Sequence, residues 1–239
     1  MSGERHRRRL RALARRLRLS EDDLPLLERA FMHASALDEA ASPTDSNERL
    51  EFLGDSVLGV VAADYLERTL PLAREGELSQ RKARLVSGEL LALSARRLGL
   101  GELLTMGPGA AASGGAERPS MLADAFEALV AAIYRAQGLA AAAAFVEREH
   151  LLHVSEEQLQ RGNAKTALQE WTMARFKSLP VYDDSIAGLP HARSFTSRVS
   201  VGGRALGVGE GRSKRAAQQA AAAQALEILT REAAHEQEV

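Results

Sequence analysis

Glu48, Glu51 and Asp55 stand at i, i+3 and i+7 in the run Asn47-Glu48-Arg49-Leu50-Glu51-Phe52-Leu53-Gly54-Asp55-Ser56-Val57-Leu58. That spacing lays three carboxylates along one face of a helix. A second pair, Asp124 and Glu127, repeats the i, i+3 spacing within 121–130, again among apolar residues. Acids are almost never fully buried unless paired, and carboxylates held together raise one another's pKa, so something must compensate them. Solvated faces, or pairing with Arg49, Arg81 or Arg84, would serve for an arbitrary helical acid. Two helices that each offer an acidic pair among core residues favour another answer. Brought together, their four carboxylates would suit one or two Mg²⁺ ions and phosphoryl chemistry. Oxygen is the expected ligand because the chain has no Cys and its six His show no H-E-x-x-H spacing.

The elements that must hold these acids are mostly helical. Leu10, Leu13 and Leu17 recur at helical spacing and lead into Ser20-Glu21-Asp22-Asp23, an N-cap pattern, so the Arg-rich start reads as a helix of the mature fold, not as a transit peptide. Further helices are expected over 24–34, 47–70, 78–98, 119–137 and 140–150. Residues 151–162 lose apolar periodicity and read as a linker. Beyond them the period changes: a helix over 164–176, strands over 181–187, 195–201 and 204–208, and an Ala-dense helix over 213–229. The fold class is therefore mainly α, an all-helical domain followed by a small α-β-β-β-α domain. The boundaries are 1–150, a 151–162 linker, 163–231, and a polar tail over 232–239.

Charge divides the same way. The first 18 residues carry eight Arg against Glu4, a net charge of +7; residues 20–150 sum to −9 and residues 163–231 to +5. One part is built to meet a polyanion, and another does work that a polyanion alone would not favour. Charged residues interrupt every hydrophobic run, so no membrane-spanning helix is expected. Composition at 45% hydrophobic and 26% charged excludes a disordered tail or a fibre.

Position for position, 47–58 resembles the signature helix of the ribonuclease III family of double-strand-specific endoribonucleases. The resemblance continues through Glu75-Gly76, Arg84-Leu85-Val86, Gly107-Pro108-Gly109, Ser113-Gly114-Gly115 and the acidic helix beginning at Ser120. It implies metal ligands at Glu51, Asp124 and Glu127, with Asp55 and Glu127 as the catalytic acids and Glu48 and Glu75 as accessory acids. It also implies a Mg²⁺-dependent cytoplasmic endonuclease, with Mn²⁺ able to substitute. Its products would carry 5′-phosphate and 3′-hydroxyl ends, and ribosomal RNA precursors and messenger RNAs would be among its substrates. The homodimer would pair its signature helices across a two-fold axis and leave short 3′ overhangs. Apolar surface at Phe52, Leu53, Val57 and Leu58 agrees with that dimer, with Phe52 seated in the partner subunit.

Residues 163–231 resemble a double-stranded RNA-binding domain, with Gly209-Glu210-Gly211-Arg212-Ser213-Lys214-Arg215 opening the last helix. A helix N-terminus with basic side chains suits phosphates that line a groove. By this resemblance Thr166, Gln169, Glu170 and His191 face the minor groove, and Lys214 and Arg215 face the phosphates. Gln218 stands where many such domains have a third Lys, which predicts weaker phosphate binding. The rival reading, a non-catalytic duplex-RNA scaffold, would require lost acids, and all of them are present. Gly109-x-x-x-x-Gly114 begins like a Walker A motif but has Gly115 in place of the Lys, so no nucleotide cofactor is expected. His150 and His153 are expected in solvent, His33 as a structural helix-end residue, and Trp171 in the core.

Overall fold

The computed structural model of the chain describes residues 2–38, 42, 44–161, 164–187, 194–211 and 213–237. The chain forms two compact units, Met1–Ser155 and Glu156–Val239. The class read from the sequence holds: the first unit is helical and the second sets a three-stranded sheet between helices.

In the first unit, α1 (Ser2–Leu17) buries Leu10, Leu13, Ala14 and Leu17, one face at helical spacing. Gln137 closes its C-terminal end by donating to the carbonyls of Leu17 and Arg18 at 3.2 and 2.7 Å. The expected N-cap at Ser20 is present, as a capping box with Asp23. Helix α2 (Leu24–Ala30) stops short of the expected 34, because the next residues pair with another segment. Thr105 N donates to Phe31 O at 2.8 Å and His33 N donates to Thr105 O at 3.0 Å. The expected single helix over 78–98 is two, α4 (Glu75–Leu85) and α5 (Gly88–Arg97). Ser87 between them is extended and starts a new helix as its N-cap, a position Ser favours. A short helix, α6 (Pro108–Ala112), and a turn at Gly114 occupy the stretch that resembles a phosphate loop.

The core of this unit is α3 (Glu48–Thr69) against α7 (Pro119–Glu149). Helix α7 bends at Gly138, whose φ of 82° lies in the left-handed region that favours glycine; the expected helices over 119–137 and 140–150 are its two arms. By length and composition alone Pro119–His153 is apolar enough to cross a membrane, which the reading by uninterrupted runs did not anticipate. Here its side chains from Phe126 to Ile133, Glu127 excepted, are buried inside the unit.

The second unit starts with α8 (Glu156–Arg161), a short helix where a linker was expected. Then come α9 (Ala164–Phe176), strands β1 (Val181–Ala187), β2 (Ser194–Val201) and β3 (Arg204–Gly211), and α10 (Lys214–Gln237). The sheet is antiparallel in the order β1-β2-β3. Helix α10 lies on β3 through small residues: a Cβ at Gly209 would come within 2.2 Å of Ala221 N. Leu168, Val199, Leu206 and Leu229 fill the space between.

Candidate metal centre

Gly54 fixes how the acids meet. A Cβ at this position would lie 1.9 Å from the backbone oxygen of Glu127, so only glycine lets α3 and α7 approach this closely. The approach brings carboxylate oxygens of Glu51, Asp124 and Glu127 within 4.8 Å of one another, each side chain half-buried. Glu51 lies in the first turn of α3, where the helix N-terminus also favours negative charge.

All three acids are harder to ionise than usual. Burial raises Glu51 first, then the charges of Asp124, Glu48 and Asp55. Burial raises Asp124, partly opposed by His33. Glu127 is pushed up to about 8, by burial first and then by Asp55, Glu51 and Asp124. Among the described residues no Lys or Arg forms an ion pair with any of the three. Of the three candidate partners, Arg81 and Arg84 bond instead to Glu77 at 2.9 Å and Glu89 at 2.8 Å, and Arg49 is exposed. Three convergent carboxylates that no Lys or Arg neutralises fit a hard divalent cation better than any other single occupant.

The remaining acids stand around this group. Asp55 is exposed and adds negative charge to Glu51 and Glu127 without joining the convergent three. Glu48 is exposed and accepts from Ser46 Oγ at 3.1 Å. Glu75 starts α4, accepts from Ser79 Oγ at 2.7 Å and lies outside the cluster.

Two histidines differ from their sequence reading. His33 does cap the short turn Ala34–Ala36, its Nδ1 accepting from Ser35 N at 3.1 Å, but it also sits close enough to Asp124 to ease that acid's ionisation. Only the pairing of Phe31–His33 with Thr105 brings it there, so local sequence gave no sign of it. His150 is fully buried, not solvated as expected. Its Nε2 donates to Leu85 O at 2.8 Å, and its Nδ1, 2.8 Å from Ser94 Oγ, then takes the acceptor role. Burial lowers its pKa to about 4. His153 is exposed, as expected.

Phe52, next to Glu51, is 78% exposed, and Val60 further along α3 is 55% exposed. Val57 and Leu58 are buried in the bundle, so they do not belong to the surplus apolar surface expected of them. In the second unit Thr166, Gln169 and Glu170 lie exposed on one side of α9. His191 lies outside the described residues. Lys214 and Arg215 are exposed at the start of α10, but Lys214 Nζ pairs with Asp184 of β1 at 2.9 Å. Gln218 joins the same group: it donates to both Asp184 oxygens and accepts from Lys165 Nζ at 2.8 Å. It is a buried structural link, not a vacant phosphate position. Trp171 packs partly buried on the core, edge-on to Phe176.

Residues 23–154 match the profile of the family described as Ribonuclease-III-like, and residues 164–229 match that of the double-stranded RNA binding motif. Ribonuclease 3 of Heliobacterium modesticaldum is 42% identical over 219 residues, 90% of this chain and 92% of the relative. Ribonuclease 3 of Treponema denticola is 41% identical over 213 residues, 88% and 87% of the two chains. Among solved structures, the nuclease domain of ribonuclease III from Campylobacter jejuni, described with a region involved in dimer formation, aligns with a TM-score of 0.53 at 36% identity. It covers 57% of this chain and 92% of its own.

Proposed function

The chain belongs to the ribonuclease III family of endoribonucleases and carries a double-stranded RNA-binding domain; from that premise we propose a Mg²⁺-dependent nuclease that cuts both strands of duplex RNA. Its products carry 5′-phosphate and 3′-hydroxyl ends with short 3′ overhangs, and ribosomal RNA precursors and messenger RNAs in the cytoplasm are its substrates. The observation that carries this reading is the convergence of Glu51, Asp124 and Glu127 within 4.8 Å with no Lys or Arg paired to them among the described residues.

Those three side chains would hold Mg²⁺, with Mn²⁺ as a substitute. Bound there, the cation supplies the charge that polarises a scissile phosphodiester and makes water a nucleophile at neutral pH. The residues themselves do three things. Gly54 sets the spacing of the two acidic helices. Asp55 adds negative charge at the exposed side of the cluster, which would draw a dication in and would repel a phosphate until that charge is offset. Glu127 must give up a proton before it can act as a ligand. Glu48 and Glu75 extend the negative field from their helix starts.

The first unit carries catalysis and dimerisation, and the second binds the duplex, with Thr166, Gln169, Glu170 and His191 toward the minor groove and Lys214 and Arg215 toward phosphates. The basic unit draws in RNA that the acidic one would repel. Glu127→Gln removes a ligand's charge and leaves the second unit untouched. Cleavage in Mg²⁺ should fall on the order of 100-fold or more while gel-shift affinity for duplex RNA stays within about twofold. Undiminished cleavage by this variant would reject the assignment.

A further inference from the structure

Helix α1 carries far more positive charge than its own unit uses. Its Leu10, Leu13, Ala14 and Leu17 are buried. Arg9 pairs with Glu102 at 2.9 Å, Arg16 with Glu149 at 3.8 Å and Arg11 with Glu21 at 3.9 Å. The side chains of Arg5, Arg7, Arg8, Arg15 and Arg18 are exposed and enter no ion pair or hydrogen bond among the described residues. At 100° per residue Arg5, Arg8 and Arg15 fall on the side opposite the leucines, beside Arg11. Like charges three and four residues apart destabilise a helix, so this row works against folding unless an external anion uses it.

We propose that the outward face of α1 is a second duplex-RNA surface, a rail for phosphates that acts independently of the C-terminal unit. The inference rests on the nuclease reading above. Ten residues separate Arg5 from Arg15, roughly 15 Å of helix, enough to follow several successive phosphates of one strand. The inward side of the same helix, at its N-terminal end, lies beside the segment that carries Thr105. His6 Nε2 lies 3.5 Å from Thr105 Oγ1, Thr105 is the residue that holds His33, and His33 is the residue that acts on Asp124. An open groove of about 920 Å³ runs between Arg5, His6 and Arg9 on one side and Thr105 and Met106 on the other.

An Arg-rich amphipathic helix can also lie on an anionic membrane, but that mode needs an apolar face to insert. The apolar face of α1 is already spent on its own unit. Phosphate contact without insertion is what the remaining face offers, and the same chain already handles duplex RNA.

The test is the full chain with the triple substitution Arg5→Gln, Arg8→Gln and Arg15→Gln. Its control is Arg68→Gln, Arg135→Gln and Arg148→Gln, which removes equal charge elsewhere on the same unit. Binding to a perfect RNA duplex is measured by fluorescence anisotropy in EDTA between about 50 and 200 mM salt, a range over which phosphate contacts are strongly screened. Circular dichroism and thermal melting verify that both variants are folded. The α1 variant should bind on the order of tenfold more weakly at the upper salt limit. Its log–log salt dependence should be shallower by about 2.7, roughly 0.9 per lost contact. The control should stay close to wild type. Equal binding by the α1 variant and wild type overturns the proposal, as does an equal loss in the control. So does unchanged RNA binding with lost attachment to phosphatidylserine vesicles or to a polyglutamate peptide, which would assign the face to a membrane or an acidic protein. Wild-type protein that neither binds nor cuts duplex RNA would overturn the nuclease reading itself, and this surface with it.

Discussion

Without a bound cation, Glu127 keeps its proton at neutral pH, because burial and the neighbouring acids push its pKa to about 8. A cation that uses this carboxylate must displace that proton, so its affinity rises with pH below about 8 and levels off above it. For one coupled proton the change is about tenfold in Kd per pH unit. Mn²⁺ titrated calorimetrically into chelator-stripped protein should bind about tenfold tighter at pH 7.5 than at pH 6.5. In buffers of different ionisation heat, it should release a proton that Glu127→Gln does not release. A pH-independent affinity in the wild type would show that Glu127 is not a ligand. At this scale the acids were legible because their types and helical spacing are local facts. His33 and Gln218 were not, since each takes its role from a segment far along the chain, Thr105 for one and Asp184 for the other.

Between elements, two contacts fix how the helices of the first unit pack. Gly54 is one, and from the sequence it is merely a glycine in an apolar helix; the contact with Glu127 that requires it exists only after α3 and α7 pack. Gly54→Ala forces the helices apart and should cost about 1–3 kcal/mol of stability. It should also raise the Mg²⁺ concentration needed for half-maximal cleavage, since Glu51 moves away from Asp124 and Glu127. Wild-type melting temperature and Mg²⁺ demand in this variant would contradict the close approach. His150 is the other contact, joining the end of α4 through Leu85, α5 through Ser94 and the end of α7. In the folded chain its pKa is about 4, below the 6.5 of the unfolded chain. Unfolding therefore takes up a proton between those values. The stability tied to the neutral ring is fully present above about pH 6.5 and is lost as pH falls toward 4, about 2 kcal/mol of it by pH 5. Denaturant melts at pH 7 and pH 5 should show that extra loss in wild type relative to His150→Gln, and parallel losses in the two proteins would exclude it. The break between α4 and α5 was hidden for a related reason: apolar periodicity runs through 78–98, and Ser87 signals a new start only weakly.

At the scale of the whole molecule, the change of period and of charge near residue 155 made the two units legible, because both are properties of long stretches. Assembly is a different matter, since a dimer depends on surface that a single chain leaves over. Phe52 is that surplus: 78% exposed in one subunit, beside Glu51 and near exposed Val60 on the same helix. Exposed apolar side chains on the helix that carries Glu51 agree with the dimer of the proposed reading. On the proposed reading one acidic cluster would cut one strand, whereas cutting both strands in a single encounter would take two clusters related by a two-fold axis, which matches the pseudo-symmetry of a duplex. The protein is therefore expected to be a C2 dimer, with Phe52 of each subunit buried in the other. Because Phe52 is exposed within its own chain, Phe52→Asp should leave each subunit folded and act on association, where burying an unpaired carboxylate costs several kcal/mol. Light scattering at micromolar concentration should give a mass of twice 25.8 kDa for wild type and near 25.8 kDa for the variant. The variant's circular dichroism should be unchanged, and its double-strand cleavage should be lost before its affinity for duplex RNA. A wild-type mass near 25.8 kDa together with full double-strand cleavage would mean that one acidic cluster suffices.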